Sequence, residues 1–193
     1  MLDPKSDILN ALYRQQRDEA IRLADDRAAL TIWEAAALGR DAELRRLLDA
    51  DATLVNALAP DGNFPLGLAA FFGHPASVRL LLERGASVSA AAQNPMQVQA
   101  LHAAVAGRNA EAVAAILDAG ADPNARQQVG YTPLMGAASA NREDIVDLLL
   151  ARGADPSLLS DDGQTASGIA TDHGHASLAE RLARTPARPG TGR

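Results

Sequence analysis

Apolar side chains along this chain fall in short stripes at helical spacing. Val78, Leu81 and Leu82 precede Gly85-Ala86, Val113, Ile116 and Leu117 precede Gly120-Ala121, and Val146, Leu149 and Leu150 precede Gly153-Ala154. Within each stripe the positions are i, i+3 and i+4, which is one face of an α-helix. The Gly-Ala pairs that follow are 35 and 33 residues apart. A nearly fixed period in this range, with one short stripe per unit, is the pattern of a solenoid. Such a unit buries its apolar face only against its neighbours, so the array grows in one dimension and does not close around a central core. The pattern therefore predicts one elongated domain that works by contact.

Each full unit reads as loop, helix, tight turn, helix, loop. In the third, Thr132-Pro133-Leu134 opens the first helix. A threonine oxygen caps free N–H groups, and proline at the first helical position has a suitable φ and no donor to leave unpaired. Asn141 is the predicted cap of the second helix, with Glu143 and Asp144 near its positive end. Gly153 is predicted to end that helix in the left-handed conformation, which costs glycine nothing.

These residues resemble the ankyrin repeat, whose pattern is a turn, then T-P-L-H-x-A, then a second helix ending in G-A-D. The third unit matches best, from Gly130-Tyr131-Thr132-Pro133-Leu134 through Gly153-Ala154-Asp155. The first has Phe64 in place of the threonine. The second has Leu101-His102-Ala103-Ala104, but Gln99-Ala100 replaces Thr-Pro and two extra residues lie in the stretch Gln93 to Gln99. The resemblance implies an all-α ankyrin-repeat solenoid of helix-turn-helix units with β-hairpin or loop fingers, three full repeats and degenerate caps. Residues 1–30 would form an N-terminal helical cap and 31–183 the repeat domain. Within it lie a degenerate repeat at 31–58, repeats at 59–91, 92–126 (with the two-residue finger insertion) and 127–159, and a C-terminal cap repeat at 160–183. Pro186, Pro189 and Gly190 mark 184–193 as a disordered tail. Terminal units need a polar outer side. Arg14, Gln15, Arg17 and Glu19 at one end, and Glu180, Arg181 and Arg184 at the other, are placed to supply it.

Composition sharpens this picture. Apolar residues are 47% of the chain but aromatics only 3%, so the apolar count is largely alanine and leucine, which suits close packing of helices. The formal charge is −6, with 18 basic residues interspersed among 24 acidic ones. Nucleic-acid binding rests on phosphate neutralisation, so this balance argues against it. The absence of cysteine excludes thiol catalysis, disulfides and thiolate metal sites. Met1-Leu2-Asp3-Pro4-Lys5-Ser6-Asp7 lacks the basic-then-apolar pattern of a signal peptide. No stretch approaches the roughly 20 apolar residues needed to span a bilayer. A cytoplasmic protein without a membrane partner is expected, and the Ala- and Arg-rich composition fits the small stand-alone ankyrin-repeat proteins of bacteria that the chain resembles.

Candidate chemistry is sparse. His173-Gly174-His175 beside Asp172 is the tightest histidine cluster, but an i, i+2 pair across a turn shares no helical face of the kind that zinc-protease histidines use. His74 and His175 fall at turns between paired helices. The resemblance gives His102 a structural role tying hairpin to helix. Asp25-Asp26 and Asp161-Asp162 read as solvated turn or cap residues, and Trp33 as a core residue of its inner helix. No phosphate loop, nucleophile elbow or Ser-His-Asp spacing is present. No enzyme, metal or cofactor is expected.

The resemblance implies partner binding on a concave face made by the inner helices and the hairpin fingers. Laid on this frame, Ala37-Leu38, Phe71-Phe72, Ala106-Gly107, Ser139-Ala140 and Asp172-His173 line the inner-helix face. Phe71-Phe72 stands out in a chain with six aromatic residues. These rings either pack under the next hairpin or are held out for a partner, and aromatics dominate many interface centres. Asp61, Asn63, Met96, Gln97, Val98, Gln128, Tyr131, Asp162 and Gln164 mark the finger tips. The candidate partner-binding residues are therefore Phe71, Phe72, Asp61, Asn63, Met96, Gln97, Gln128, Tyr131, Asp172 and His173. The expected function is a non-enzymatic protein-protein interaction module, monomeric. Alternatives are self-association as a homodimer through the Phe71-Phe72 surface, or a ligand-binding or enzymatic protein using the groove.

Overall fold

The computed structural model describes residues 6–186, and within them twelve α-helices follow one another in antiparallel pairs. The pairs are α1 (Asp7–Tyr13) with α2 (Arg17–Asp25), α3 (Ile32–Leu38) with α4 (Asp41–Ala50), and α5 (Pro65–Phe71) with α6 (Pro75–Glu83). Then come α7 (Ala100–Ala106) with α8 (Ala110–Asp118), α9 (Pro133–Ser139) with α10 (Glu143–Ala151), and α11 (Ala166–Asp172) with α12 (Ala176–Arg184). The first member of each pair stacks on its counterpart in the next, so α1, α3, α5, α7, α9 and α11 form an inner row. The second members α4, α6, α8 and α10 form an outer row.

Alanine makes the inner row possible. Ala35-Ala36, Ala69-Ala70, Ala103-Ala104 and Ala137-Ala138 recur at one register and are all buried. At Gly107 the approach is closer still: a Cβ there would lie 2.5 Å from the carbonyl oxygens of both Ala70 and Phe71. Small side chains let the helices meet nearly backbone to backbone, and the larger residues of the outer row fill the space behind them. Val78 and Leu81, Val113 and Ile116, and Val146 and Leu149 are fully buried, in the register that the sequence stripes predict. Leu117 is also buried, while Leu82 and Leu150 are half-buried against the same core.

The turns inside the pairs are joined from unit to unit. From α6 onward the residue capping the second helix of a pair reaches a carbonyl of the preceding turn: His74 Nε2 donates to Ala37 O at 3.0 Å, Asn109 Nδ2 to Gly73 O at 3.4 Å and His175 Nε2 to Ser139 O at 3.1 Å. Arg142 does the same to Arg108 O. His74 and His175 are thus structural, as their sequence position suggests. Arg142 and not Asn141 is the cap of α10, because Asn141 has φ 51° and serves as the left-handed residue of the turn. Thr132 does cap α9, its Oγ1 accepting from Met135 N at 3.4 Å, and Gly153 is left-handed with φ 101°.

The ends differ from the expectation in detail. Arg184 is the last residue of α12, so the helix continues into the predicted tail; residues 187–193 of that tail lie outside the described residues. Arg181 turns back to Asp147 and Glu143 of α10 instead of facing outward. Ala37, expected on the exposed inner face, is completely buried beneath α1 and α2 with Ile8, Leu9, Leu12 and Leu68. Trp33 is half-buried where the N-terminal cluster meets the main core, and its Nε1 donates to Ala57 O at 2.9 Å.

Candidate functional site

The loops between units close into fingers by short backbone hydrogen bonds. Ala59 N donates to Asn63 O in the first, Ala92 N to Val98 O in the second, Gln127 N to Tyr131 O in the third and Ser160 N to Gln164 O in the fourth. An antiparallel bridge between Ala91 and Gln99 reinforces the lengthened second finger. The fingers are then tied in two couples. Gln93 N donates to Gly62 O at 2.7 Å, joining the first and second, and Asp161 N to Val129 O at 3.0 Å, joining the third and fourth. Among the described residues no backbone hydrogen bond joins the second finger to the third. The two-residue insertion therefore falls beside the one unbonded boundary in the row.

At that boundary a groove of about 290 Å³ opens. Its floor is Ala103, Val105 and Ala106 of α7 with Gly136 and Ser139 of α9 and Ala140 just after it, and its walls are Phe71, Met96, Val98 and Tyr131. Gly136 keeps the floor low. Phe71 is 41% exposed and Met96 54%, and the two line the same groove, whereas single exposed apolar side chains are ordinary on a protein surface. Tyr131 is half-buried, its hydroxyl donating to Met135 O at 3.4 Å, and burial raises its pKa above the usual value. His102 lies at the base with Nε2 donating to the Tyr131 carbonyl at 3.3 Å. The contact ties α7 to the third finger, one unit on from its own, and burial lowers the imidazole pKa.

The two phenylalanines take different roles. Phe72 packs into the N-terminal cluster, its ring centroid 5.3 Å from that of Tyr13, while Phe71 stands edge-on to Phe72 at 5.1 Å and faces the groove. Tyr13, at the end of α1, is the residue that sequence reasoning missed. Its hydroxyl donates to Asp61 Oδ2 at 2.8 Å and accepts from Asn63 Nδ2 at 3.2 Å. Burial and the Asp61 carboxylate push its pKa well above the normal phenol value. Asp61 and Asn63 are thus engaged by the chain's own cap. The only sequence signal for this was a lone aromatic at the end of a short, mostly apolar helix.

The remaining candidates are spread along the row. Gln97 is exposed at the tip of the second finger with φ 49°. Gln128 is exposed beside Val129, which is left-handed at φ 56° and itself 55% exposed. At the C-terminal end Asp172 accepts from Gln164 Nε2, and His173 Nε2 lies 3.0 Å from Ser139 Oγ with its ring stacked on His175 at 6.3 Å. Among the described residues no group of three or more His, Cys, Asp or Glu side chains is placed to hold a metal ion. Nor is any helix among them long and apolar enough to cross a membrane.

The profile of the family described as "Ankyrin repeats (3 copies)" matches residues 32–127 and 101–191. With the paired helices, finger loops and inner Ala-rich row, this places the chain in the ankyrin-repeat family. Ankyrin repeats as a class are protein-interaction modules and are generally non-enzymatic. The chain is 38% identical over 86 residues to human protein phosphatase 1 regulatory subunit 27, covering 45% of this chain and 56% of that protein. It is 43% identical over 79 residues to the bovine mitochondrial disaggregase, covering 41% and 12% of the two chains. It is 33% identical over 144 residues to the ankyrin repeat protein nuc-2 of Neurospora crassa, covering 74% and 13%. The matched segment is thus a part, and in two cases a small part, of these relatives.

Proposed function

We propose that the chain is a non-enzymatic protein-binding module whose partner seats an apolar side chain in the groove between the second and third fingers. The observation that carries this reading is the groove itself: exposed Phe71 and Met96 over a floor of Ala and Gly, at the one boundary where the fingers are not bonded. Aromatic anchors in desolvated pockets dominate protein interfaces. The groove's one titratable side chain deep in the floor, His102, is occupied by the Tyr131 carbonyl, which leaves no paired acid and base for catalysis. One relative is by name a regulatory subunit of a phosphatase, a role that proceeds through contact with another protein. Within the candidate set, Phe71, Met96 and Tyr131 are the core of the contact, with Gln97, Gln128 and His173 at its rim. Phe72, Asp61 and Asn63 hold the cap.

The test is affinity capture from a lysate of the source cells with the wild type, Phe71→Ala/Met96→Ala, and Leu159→Ala as an exposed apolar control outside the groove. All three proteins must first show the same helical signal and melting point. A protein held by the wild type and the control but lost by the double variant is the expected result. Equal capture by all three removes the groove from the account. Light scattering at two concentrations checks self-association: a dimer dispersed by Phe71→Asp favours a second copy as the occupant.

A further inference from the structure

A second recess, of about 590 Å³, lies on the other side of Phe72, between the cap and the turns that follow α3 and α5. Known small-molecule sites span roughly 300–1,000 Å³, so it is of a size to take one. Its apolar lining is Leu12 and Ile21 of the cap with Leu38 and Phe72. Its rim also carries Arg17, Arg40 and His74, and a single acid, Asp25, with Arg17 and Asp25 one turn either side of Ile21 on α2.

The charges on this rim are unbalanced. Arg40 Nη2 is held by Asp25 at 2.9 Å, and the His74 ring is spent on Ala37 O. Arg17 has neither an ion-pair nor a hydrogen-bond partner among the described residues. Several arginines of the outer row answer an acid of a neighbouring unit, as Arg84 does Asp49 and Arg152 does Asp118. With Arg40 paired to Asp25, the Arg17 guanidinium is an excess positive charge among the groups that line the recess, in a chain of net charge −6. Burial is the main cause that holds the His74 pKa below the usual value; the Arg17 charge acts in the same direction, and the Ala37 hydrogen bond and the Asp41 carboxylate act against it. The His74 ring is fixed in the wall because Gly39 leaves room for it, a Cβ at that position falling 2.4 Å from His74 Nδ1.

We propose that this recess binds a small amphipathic organic acid, its apolar body against Leu12, Ile21, Leu38 and Phe72 and its carboxylate on the Arg17 guanidinium. A planar guanidinium matches a carboxylate with two parallel hydrogen bonds, and the Asp25 carboxylate repels the head group from the far end of the rim. The site is separate from the finger groove, and its occupancy does not depend on the partner proposed there.

The experiment is a ¹H–¹⁵N NMR titration of the full chain with 1-naphthoate and with its neutral analogue 1-naphthalenemethanol, repeated on Arg17→Gln and Asp25→Asn. The acid is expected to shift signals of Leu12, Ile21, Leu38 and His74, and to bind at least about tenfold more tightly than the alcohol, as a charge-assisted pair requires. Arg17→Gln, an exposed change, should remove that advantage, and Asp25→Asn should strengthen binding of the acid. Equal affinity for acid and alcohol, an Arg17→Gln protein that binds as the wild type does, or no shift with millimolar acid overturns the proposal.

Discussion

The N-terminal cap and the middle units bury their surfaces by different means. Between α5 and α10 the contacts repeat: alanine on alanine along the inner row and a Val-Leu or Val-Ile pair behind it, fully buried in unit after unit. The cap is fastened by contacts that occur once. Glu34, 1% exposed, accepts from Ser6 Oγ, from Arg27 Nη1 at 2.8 Å and from Thr31 N at 2.9 Å, so the start of α1 and the loop after α2 are held by one carboxylate. At the other end of α1, Tyr13 is held by Asp61, Asn63 and the Phe71-Phe72 pair. A lost apolar contact in the array is felt by the units on both sides, because each unit is stable only against its neighbours. A lost partner of the three-donor carboxylate leaves the others unsatisfied where they stand, so its effect stays in the cap.

That difference is open to attack. The largest effect is expected in the middle of the array, where Leu149→Ala should cost about 2–5 kcal/mol by lost burial and the cavity left behind, seen as a lower midpoint for the whole chain in urea. An unchanged midpoint would mean that α10 is not in the register described. Glu34→Ala should cost somewhat less, about 1–3 kcal/mol, because Arg27 regains water but Thr31 N and Ser6 lose their acceptor. Its signature is local: amide exchange should accelerate in α1 and α2 and stay slow in α7 to α10. Uniform acceleration would show that the cap and the array unfold as one piece.

Tyr13→Phe keeps the ring stack and removes only the hydroxyl, so about 0.5–1.5 kcal/mol is expected. Tyr13→Ala should exceed it clearly, and equal losses would assign the cap's hold to the Asp61 bond alone. Acid tests both regions at once. His74 at the cap and His102 in the array both have pKa values lowered by burial from an ordinary 6.5. The unfolded chain therefore takes up protons that the folded one resists, and stability should fall as the pH drops below 6.5, levelling off only beneath the folded values. A urea midpoint flat from neutral pH to 5 would contradict their burial. The smallest change is a gain: at Gly67, inside α5, a Cβ meets nothing within 4 Å, so Gly67→Ala should stabilise by about 0.4–1 kcal/mol through the unfolded state.

The repeating part of the molecule was legible because its physics is local. The i, i+3, i+4 stripes, the Thr132-Pro133 start and the Gly153 stop each act within one helix, and the same reasons hold in every unit. Asn141 was misplaced by one residue because a polar side chain before a helix reads equally as a cap and as the left-handed residue of the turn; only the backbone path separates the two. The groove was half legible. Phe71 and Met96 stand out as large apolar residues at turn and tip positions, but nothing in their neighbourhood tells that Phe71 faces outward while Phe72 faces the cap.

The sequence by itself determined the fold class, the helix register, the small-residue inner row and the absence of thiol chemistry, since each rests on residue type and on spacings within a single turn or period. The tertiary structure decided what depends on pairs far apart in the chain. Tyr13 meets Asp61 and Asn63 across some fifty residues, which engages two of the candidate contacts within the chain itself. Among the described residues the fingers bond in couples and leave one boundary open, and the Arg17 guanidinium comes to the rim of a recess with no acid paired to it. Contacts of that kind are set by how the units stack, and no local pattern in the sequence encodes the angle at which one unit meets the next.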